Sequence, residues 1–151
     1  MSKHKLSKKD FKEIKSKMEA IGIDISNLND LEIEESKNTR IYYYSNMPVI
    51  YNDIPTLYLL NNIKPTKNIT IVDDGAVSKM ASGANLFAPG IISMDMSMKK
   101  GDITYIANKK NQFIAVCRLT DDSDNIIKEK KGLAAENLHY LNDSIIKKRY
   151  V

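Results

Sequence analysis

A single cysteine, Cys117, denies this chain an internal disulfide and a cysteine-based metal site. Its neighbours Ala115, Val116 and Leu119 are apolar, which fits a buried thiol rather than a nucleophile. Histidine is almost as scarce, and His4 and His139 stand near opposite ends of the sequence, so no pair has metal-ligand spacing. The motifs of a phosphate-binding P-loop, a zinc-protease helix and a serine nucleophile elbow are missing. Asp73 and Asp74 are adjacent, and adjacency does not set two carboxylates across a reacting atom. No catalytic residue, metal ligand or cofactor is expected. Nor does any apolar run reach the length that spans a bilayer, and the opening MSKHKLSKKDFKEIK carries positive charge without the apolar core of a signal peptide. The expectation is a cytoplasmic protein with no membrane contact.

What is present is enough for a core. The chain has 151 residues, 28% of them charged and 42% hydrophobic, the profile of one globular domain or two small ones. Its formal charge of +4 is unevenly spread. Seven lysines fall within residues 1–17, and Lys147, Lys148 and Arg149 cluster near the other end. The first cluster fits a footprint for phosphates and equally a solvated helix face. Acidic and basic residues balance at nine each in residues 1–62, so the excess lies in residues 63–151, with 14 basic and 10 acidic. The second part is the expected anion binder.

Phe11, Ile14, Met18 and Ile21 recur at helical spacing, with Ser7 and Asp10 as a capping box and Gly22 as the stop. Leu31-Glu32-Ile33-Glu34 alternates as a half-buried strand does, and pairs through a turn at Ser36 to Thr39 with Arg40-Ile41-Tyr42-Tyr43-Tyr44. Met47 to Tyr51 gives a third strand, and the segment from Asp53 to Thr56 starts a helix through Leu57 and Leu60. The tyrosines at 42, 43, 44 and 51 raise the idea of a platform for unpaired bases. Alternation sends at least one of Tyr42 to Tyr44 into the core, however, and packing is the favoured reading. Residues 1–62 thus read as a small α+β domain, and the polar, proline-broken residues 63–68 as a linker.

Residues 69–90, ITIVDDGAVSKMASGANLFAPG, organise the remainder. Ile69, Ile71 and Val72 read as a strand that turns into a short helix from Ala76 to Ser82, with Asp74 as its cap and Gly83 as a left-handed end. Small residues at Ser82, Gly83 and Ala84 leave the backbone open to an extended ligand. Ile91 to Met98 is apolar, Ile103 to Ala107 is a strand, and Phe113 to Leu119 is a strand apolar on much of both faces, which places it centrally in a small barrel. A polar excursion from Asp121 to Glu129 leaves room for a short helix, and strands follow at residues 131–140 and 144–150. Five or six short strands with one short helix predict a closed β-barrel over residues 69–151.

Three blocks, VDDGAVSKMASGANLFAPGI at 72–91, GDITYIA at 101–107 and KGLAAENLHYLND at 131–143, resemble the PUA domain. The likeness is strongest to the version in translation factors of the malignant-T-cell-amplified-sequence type and their archaeal relatives. The leading KLSKKDFKEIK helix and the NDIPTLYLL segment resemble the pre-PUA domain of those proteins. The fold implied is α+β: a small pre-PUA-like domain at 1–62, then a PUA pseudobarrel at 69–151. The function implied is non-catalytic binding of structured RNA, tRNA or small-subunit ribosomal RNA, in translation initiation or ribosome recycling. The small ribosomal subunit and a translation-factor protein are the implied partners. Carried over residue by residue, the RNA face comprises Asp74, Gly75, Lys79, Met80, Gly83, Ala84, Asn85 and Leu86, with Lys147 and Arg149 on the final strand. Gly75 and Gly83 serve equally well as helix punctuation, and the terminal cations as a basic tail. His139, between Leu138 and Tyr140, reads as a packed structural residue. Two other functions stay open: an accessory RNA-binding subunit for an RNA-modifying enzyme of the pseudouridine synthase or transglycosylase type, and a protein-interaction scaffold.

Overall fold

The structure, a computed structural model, describes residues 3–145. Lys147, Arg149 and most of the strand expected at 144–150 lie outside the described residues, while Ser144 and Ile145 have helical backbone conformation.

The first lobe packs one helix on an antiparallel sheet. Helix α1 (Lys8–Ala20) begins where the Ser7 hydroxyl oxygen accepts the Asp10 N–H at 3.1 Å, and it buries Ile14 and Met18. Its sheet runs β1 (His4–Lys5), β2 (Glu32–Ser36), β3 (Thr39–Tyr44), β4 (Met47–Tyr51) and β5 (Ile54–Pro55), in that spatial order. The expected β2–β3 hairpin is present, with Ile33 opposite Tyr42. Ser45 and Asn46, both with positive φ, turn β3 into β4, the backbone that matches the twist of a tight hairpin. Tyr42 and Tyr43 are both buried, so packing accounts for two of the four tyrosines. Helix α2 (Leu57–Asn62) begins only after the segment from Asp53 to Thr56 that was expected to start it, because Ile54 and Pro55 still pair with β4 and Thr56 caps the helix.

The second lobe holds β6 (Ile69–Val72), α3 (Asp74–Met80), β7 (Leu86–Phe87), a 3-10 turn (Ala88–Gly90), β8 (Ile91–Met94), β9 (Ile103–Ala107), β10 (Phe113–Leu119), α4 (Ser123–Glu129) and β11 (Leu133–Tyr140). Its sheet is ordered β7-β11-β10-β9-β6-β8, with β6 and β9 parallel and the other neighbours antiparallel. It forms the expected PUA pseudobarrel, with two corrections. Among the described residues it holds two short α-helices, α3 and α4, where one is expected. Among the described residues no ladder closes the barrel, since the sheet ends at β7 and β8, which the three-residue turn joins.

The burial of β10 on both faces has a cause that the apolar run alone does not reveal. Ile106, Ile114, Ala115 and Cys117 face the barrel core with Met80 and Leu86. Ile103, Tyr105, Ala107, Phe113 and Val116 face the other way and complete the core of the first lobe with Ile14, Met18 and Leu60. One pair of strands therefore serves two cores. Burial on this scale pushes the Tyr105 phenol and the Cys117 thiol well above their ordinary values, so both stay neutral.

Polar bonds close the seam between the lobes. The Tyr105 hydroxyl donates to the Ile21 carbonyl at 2.7 Å. The Asn61 side chain accepts the Phe113 N–H at 2.9 Å and donates to the Phe113 carbonyl at 3.1 Å. Fully buried His139 accepts the Leu57 N–H on Nε2 at 3.0 Å, which leaves Nδ1 to carry the proton and donate to Asp143. That N–H is one of the first donors of α2, which no turn of the helix can satisfy. Residues 63–68 are pinned as well: Thr66 donates its N–H to Gly22 at 2.9 Å, and Asn68 donates its N–H to Asp95 at 2.9 Å.

Replacing His139 by Ala leaves the Leu57 N–H unpaired in an apolar seam and opens a cavity, so urea unfolding should show a loss on the order of 3 kcal/mol. A loss below about 0.5 kcal/mol, the range of surface substitutions, would contradict this role. Asp95 generates a pH prediction. The Ser97 hydroxyl and N–H and the Asn68 N–H hold its carboxyl below the usual range. A depressed folded-state pKa contributes stability above about pH 4, lost as pH falls through the folded value. Asp95→Asn should thus be less stable than the parent at neutral pH and lose less on acidification; parallel acid profiles would contradict this.

Candidate functional site

Helix α3 is held at both ends by residues of its own loops. Asp73, rather than Asp74, is the cap: its backbone is still extended, and its Oδ1 accepts the Ala76 N–H at 2.9 Å. Asp74 becomes the first helical residue, exposed, where a carboxylate complements the helix dipole. At the far end the Gly83 N–H donates to Met80 and the Ala84 N–H to Lys79. Gly83 has φ of +107°, and a Cβ there would sit 3.0 Å from the Tyr140 ring. Glycine is needed at this position on both counts. Gly90 closes the other side, since its carbonyl accepts the Asp73 N–H and a Cβ on it would meet Ala76 at 2.9 Å.

Strand β11 fixes the loop between α3 and β7. Asn137 donates its side-chain amide to the carbonyls of Met80 and Ala84, at 3.1 and 2.9 Å, and its N–H to the Asn85 side chain at 2.9 Å. Asn142 reaches the Ala81 carbonyl at 3.2 Å. Leu86 then pairs with Ala135, and Phe87 with Leu133.

The result is an open groove of about 390 Å³ between α3 and β7, walled by Gly75, Lys79, Asn85, Phe87 and Pro89. Met80 and Leu86 are its floor, with side chains buried in the barrel core. Of the residues expected on the face, Asp74, Gly75, Lys79 and Asn85 are exposed around it, while Gly83 and Ala84 are half-buried in the loop. The groove holds no large positive charge. Asp73 lines it and Asp74 lies beside it, against the single cation Lys79. With Asp73 already capping α3, that helix end is poorly suited to a phosphate.

Phe87 is the groove residue that sequence reasoning missed. It is 56% exposed, next to fully buried Leu86. The alternation Leu86-in, Phe87-out was the only signal, on a strand of two residues. Of the seven N-terminal lysines, Lys5 on β1 and Lys15 and Lys17 on α1 form exposed ion pairs with Asp30, Glu19 and Asp53. Among the described residues no group of three or more His, Cys, Asp or Glu side chains is placed to hold a metal ion, and no helix is long and apolar enough to cross a membrane.

The PUA domain family matches residues 68–141, and a family described as Domain of unknown function (DUF1947) matches residues 2–63. An uncharacterised protein of Methanocaldococcus jannaschii is 31% identical across 93% of this chain and 92% of its own length. The Malignant T-cell-amplified sequence 1 homolog of Drosophila melanogaster is 33% identical over 65% of this chain, which spans 56% of that protein. Among solved structures, a conserved PUA domain protein from Thermoplasma acidophilum superimposes with a TM-score of 0.91 at 40% identity, covering 98% of this chain and 99% of that one.

The two glycines around α3 should separate on substitution. Gly83→Ala forces an L side chain into positive φ and against Tyr140, and should cost about 1–3 kcal/mol in urea unfolding. A Cβ on Gly75 meets only the Asp73 carboxylate, at 3.5 Å, so Gly75→Ala should leave stability unchanged or raise it by up to about 1 kcal/mol. Equal costs at the two positions would contradict the geometry described for this loop.

Proposed function

This chain belongs to the family of PUA domain proteins, and from that premise we propose that it binds structured RNA through the groove between α3 and β7, with no catalytic step of its own. The observation that carries the reading is the groove itself: an exposed backbone and a cation on a rigid barrel, held open by Asn137 and by two close glycine contacts. A-form RNA is met through phosphates, 2′-hydroxyls and unstacked bases, which suits an accessible backbone better than a deep pocket. Asp74, Gly75, Lys79, Ala84 and Asn85 are the proposed contact residues, and Met80, Gly83 and Leu86 shape the groove beneath them. The positive excess of the second lobe, 14 basic against 10 acidic over residues 63–151, supports the same assignment.

In this reading residues 69–151 are the RNA-binding unit, residues 1–62 the pre-PUA support, and residues 63–68 the connection between them. The finer role is in translation, at the small ribosomal subunit and in the cytoplasm, during initiation or recycling, with tRNA or ribosomal RNA as the ligand. What supports it is the span of the match to the Malignant T-cell-amplified sequence 1 homolog. At 65% of the chain, that alignment reaches beyond what residues 69–151 alone supply. A likeness confined to the barrel would favour the accessory-subunit alternative instead.

The test is anisotropy of a labelled RNA hairpin with an unpaired 3′ end, measured across a salt series for the parent and Lys79→Glu. Loss of one phosphate contact should weaken binding and lower the slope of log affinity against log salt by about 1. Unchanged affinity and slope in the variant would remove Lys79 from the interface.

A further inference from the structure

A second groove, of about 560 Å³, lies in the first lobe between β1, the start of α1 and residues 28–31. Its walls are apolar: Leu28 and Leu31 are buried, and Leu6 and Phe11 are half-buried. Backbone bonds fix its shape, since the Leu6 N–H donates to the Leu31 carbonyl at 2.9 Å and the Leu28 N–H to the Ile25 carbonyl at 3.0 Å. Such a groove is preorganised for a ligand that brings an apolar group.

Helix α1 sorts its charges around this groove. At 3.6 residues per turn, Lys8, Phe11, Lys12 and Lys15 fall on one flank, and Asp10, Glu13 and Lys17 on the opposite one. The acidic flank lines a separate polar cleft with Glu35 and Arg40. On the basic flank Glu19 pairs with Lys15, and at the groove's rim Asp30 pairs with Lys5. Among the described residues neither Lys8 nor Lys12 has an ion-pair partner, so two uncompensated cations border the apolar walls. A ligand that suits both features carries an apolar side chain to enter and carboxylates to stay outside. A nucleic-acid backbone would satisfy the lysines and leave the walls uncovered.

We propose that this groove docks an acidic segment of a partner protein, which inserts an apolar side chain among Leu6, Phe11 and Leu28 and sets its carboxylates against Lys8 and Lys12. Charge complementarity selects the occupant, and burial of the anchor side chain holds it. The site shares no residue with the groove between α3 and β7. The chain then holds a protein at α1 and RNA at α3, as an adaptor between the two.

The experiment pans a random peptide library displayed on phage against the full chain, and measures the selected peptides by fluorescence anisotropy. Enriched peptides should combine aspartate or glutamate with a leucine, isoleucine or phenylalanine. Phe11→Ala should weaken their binding at least about fivefold. The double variant Lys8→Glu/Lys12→Glu, changed only at exposed positions that leave the fold intact, should weaken it as well and flatten its salt dependence, while Lys79→Glu should bind the peptides as the parent does. No enrichment, enriched peptides without acidic residues, or binding indifferent to the charge reversal overturns the docking site. The same double variant is titrated with the RNA hairpin used for Lys79→Glu. A lower salt slope there would make this flank a phosphate footprint and overturn the protein-docking role, whereas a slope sensitive to Lys79→Glu alone leaves both readings standing.

Discussion

Strands β9 and β10 are apolar on both faces, and the rest of the molecule is arranged to cover them. A strand pair of this kind needs a layer on each side. The barrel covers one face, and the other is covered by α1, α2 and the first sheet, so that Tyr105 and Phe113 sit in the same cluster as Met18 and Leu60. Removing either lobe would expose a continuous apolar surface. The seam bonds follow from that constraint, since a buried carbonyl or N–H at such a boundary needs a partner. Asn61, Tyr105 and His139 supply side-chain partners across it. Residues 63–68, which the sequence presents as a linker, are accordingly fastened at Gly22 and Asp95.

The groove inherits its rigidity from the same strands. Helix α3 has seven residues, too few to persist alone, and it stands because both of its flanking loops are tied to the barrel. The tie at its C-terminal end comes from Asn137 on β11, two residues before His139, which secures the opposite lobe. One strand thus positions the candidate binding loop and locks the two lobes together. A surface preorganised in this way loses little entropy when a ligand arrives.

Much of this was legible in the sequence, and the exceptions have physical causes. The amphipathic period of α1, the β2–β3 hairpin and the strand-to-helix turn after Val72 are local patterns, and local patterns read well. The cap of α3 was misplaced by one residue because Asp73 and Asp74 are both good caps, and only the extended backbone at Asp73 decides between them. The apolar run from Phe113 to Leu119 announced burial on both faces without saying that the second face belongs to another lobe. Met80 and Leu86, which the family resemblance implies for the RNA face, line the groove with buried side chains, and their burial has no local signal in the sequence. Phe87 carries little signal, because two strand residues are too few for alternation to show. His139 was legible as structural, although its partner, the first N–H of α2, is distant in sequence and carries no local signal.

In the proposed function RNA engages the face made by α3, its loop and β7, with the basic first helix outside the contact. Amide chemical-shift mapping during titration with a structured RNA tests it most directly, because every backbone N–H except those of proline reports at once. Perturbations should concentrate at residues 74–90 and at 131–137, with α1 unmoved. Shifts concentrated on α1, with the groove unmoved, would contradict it.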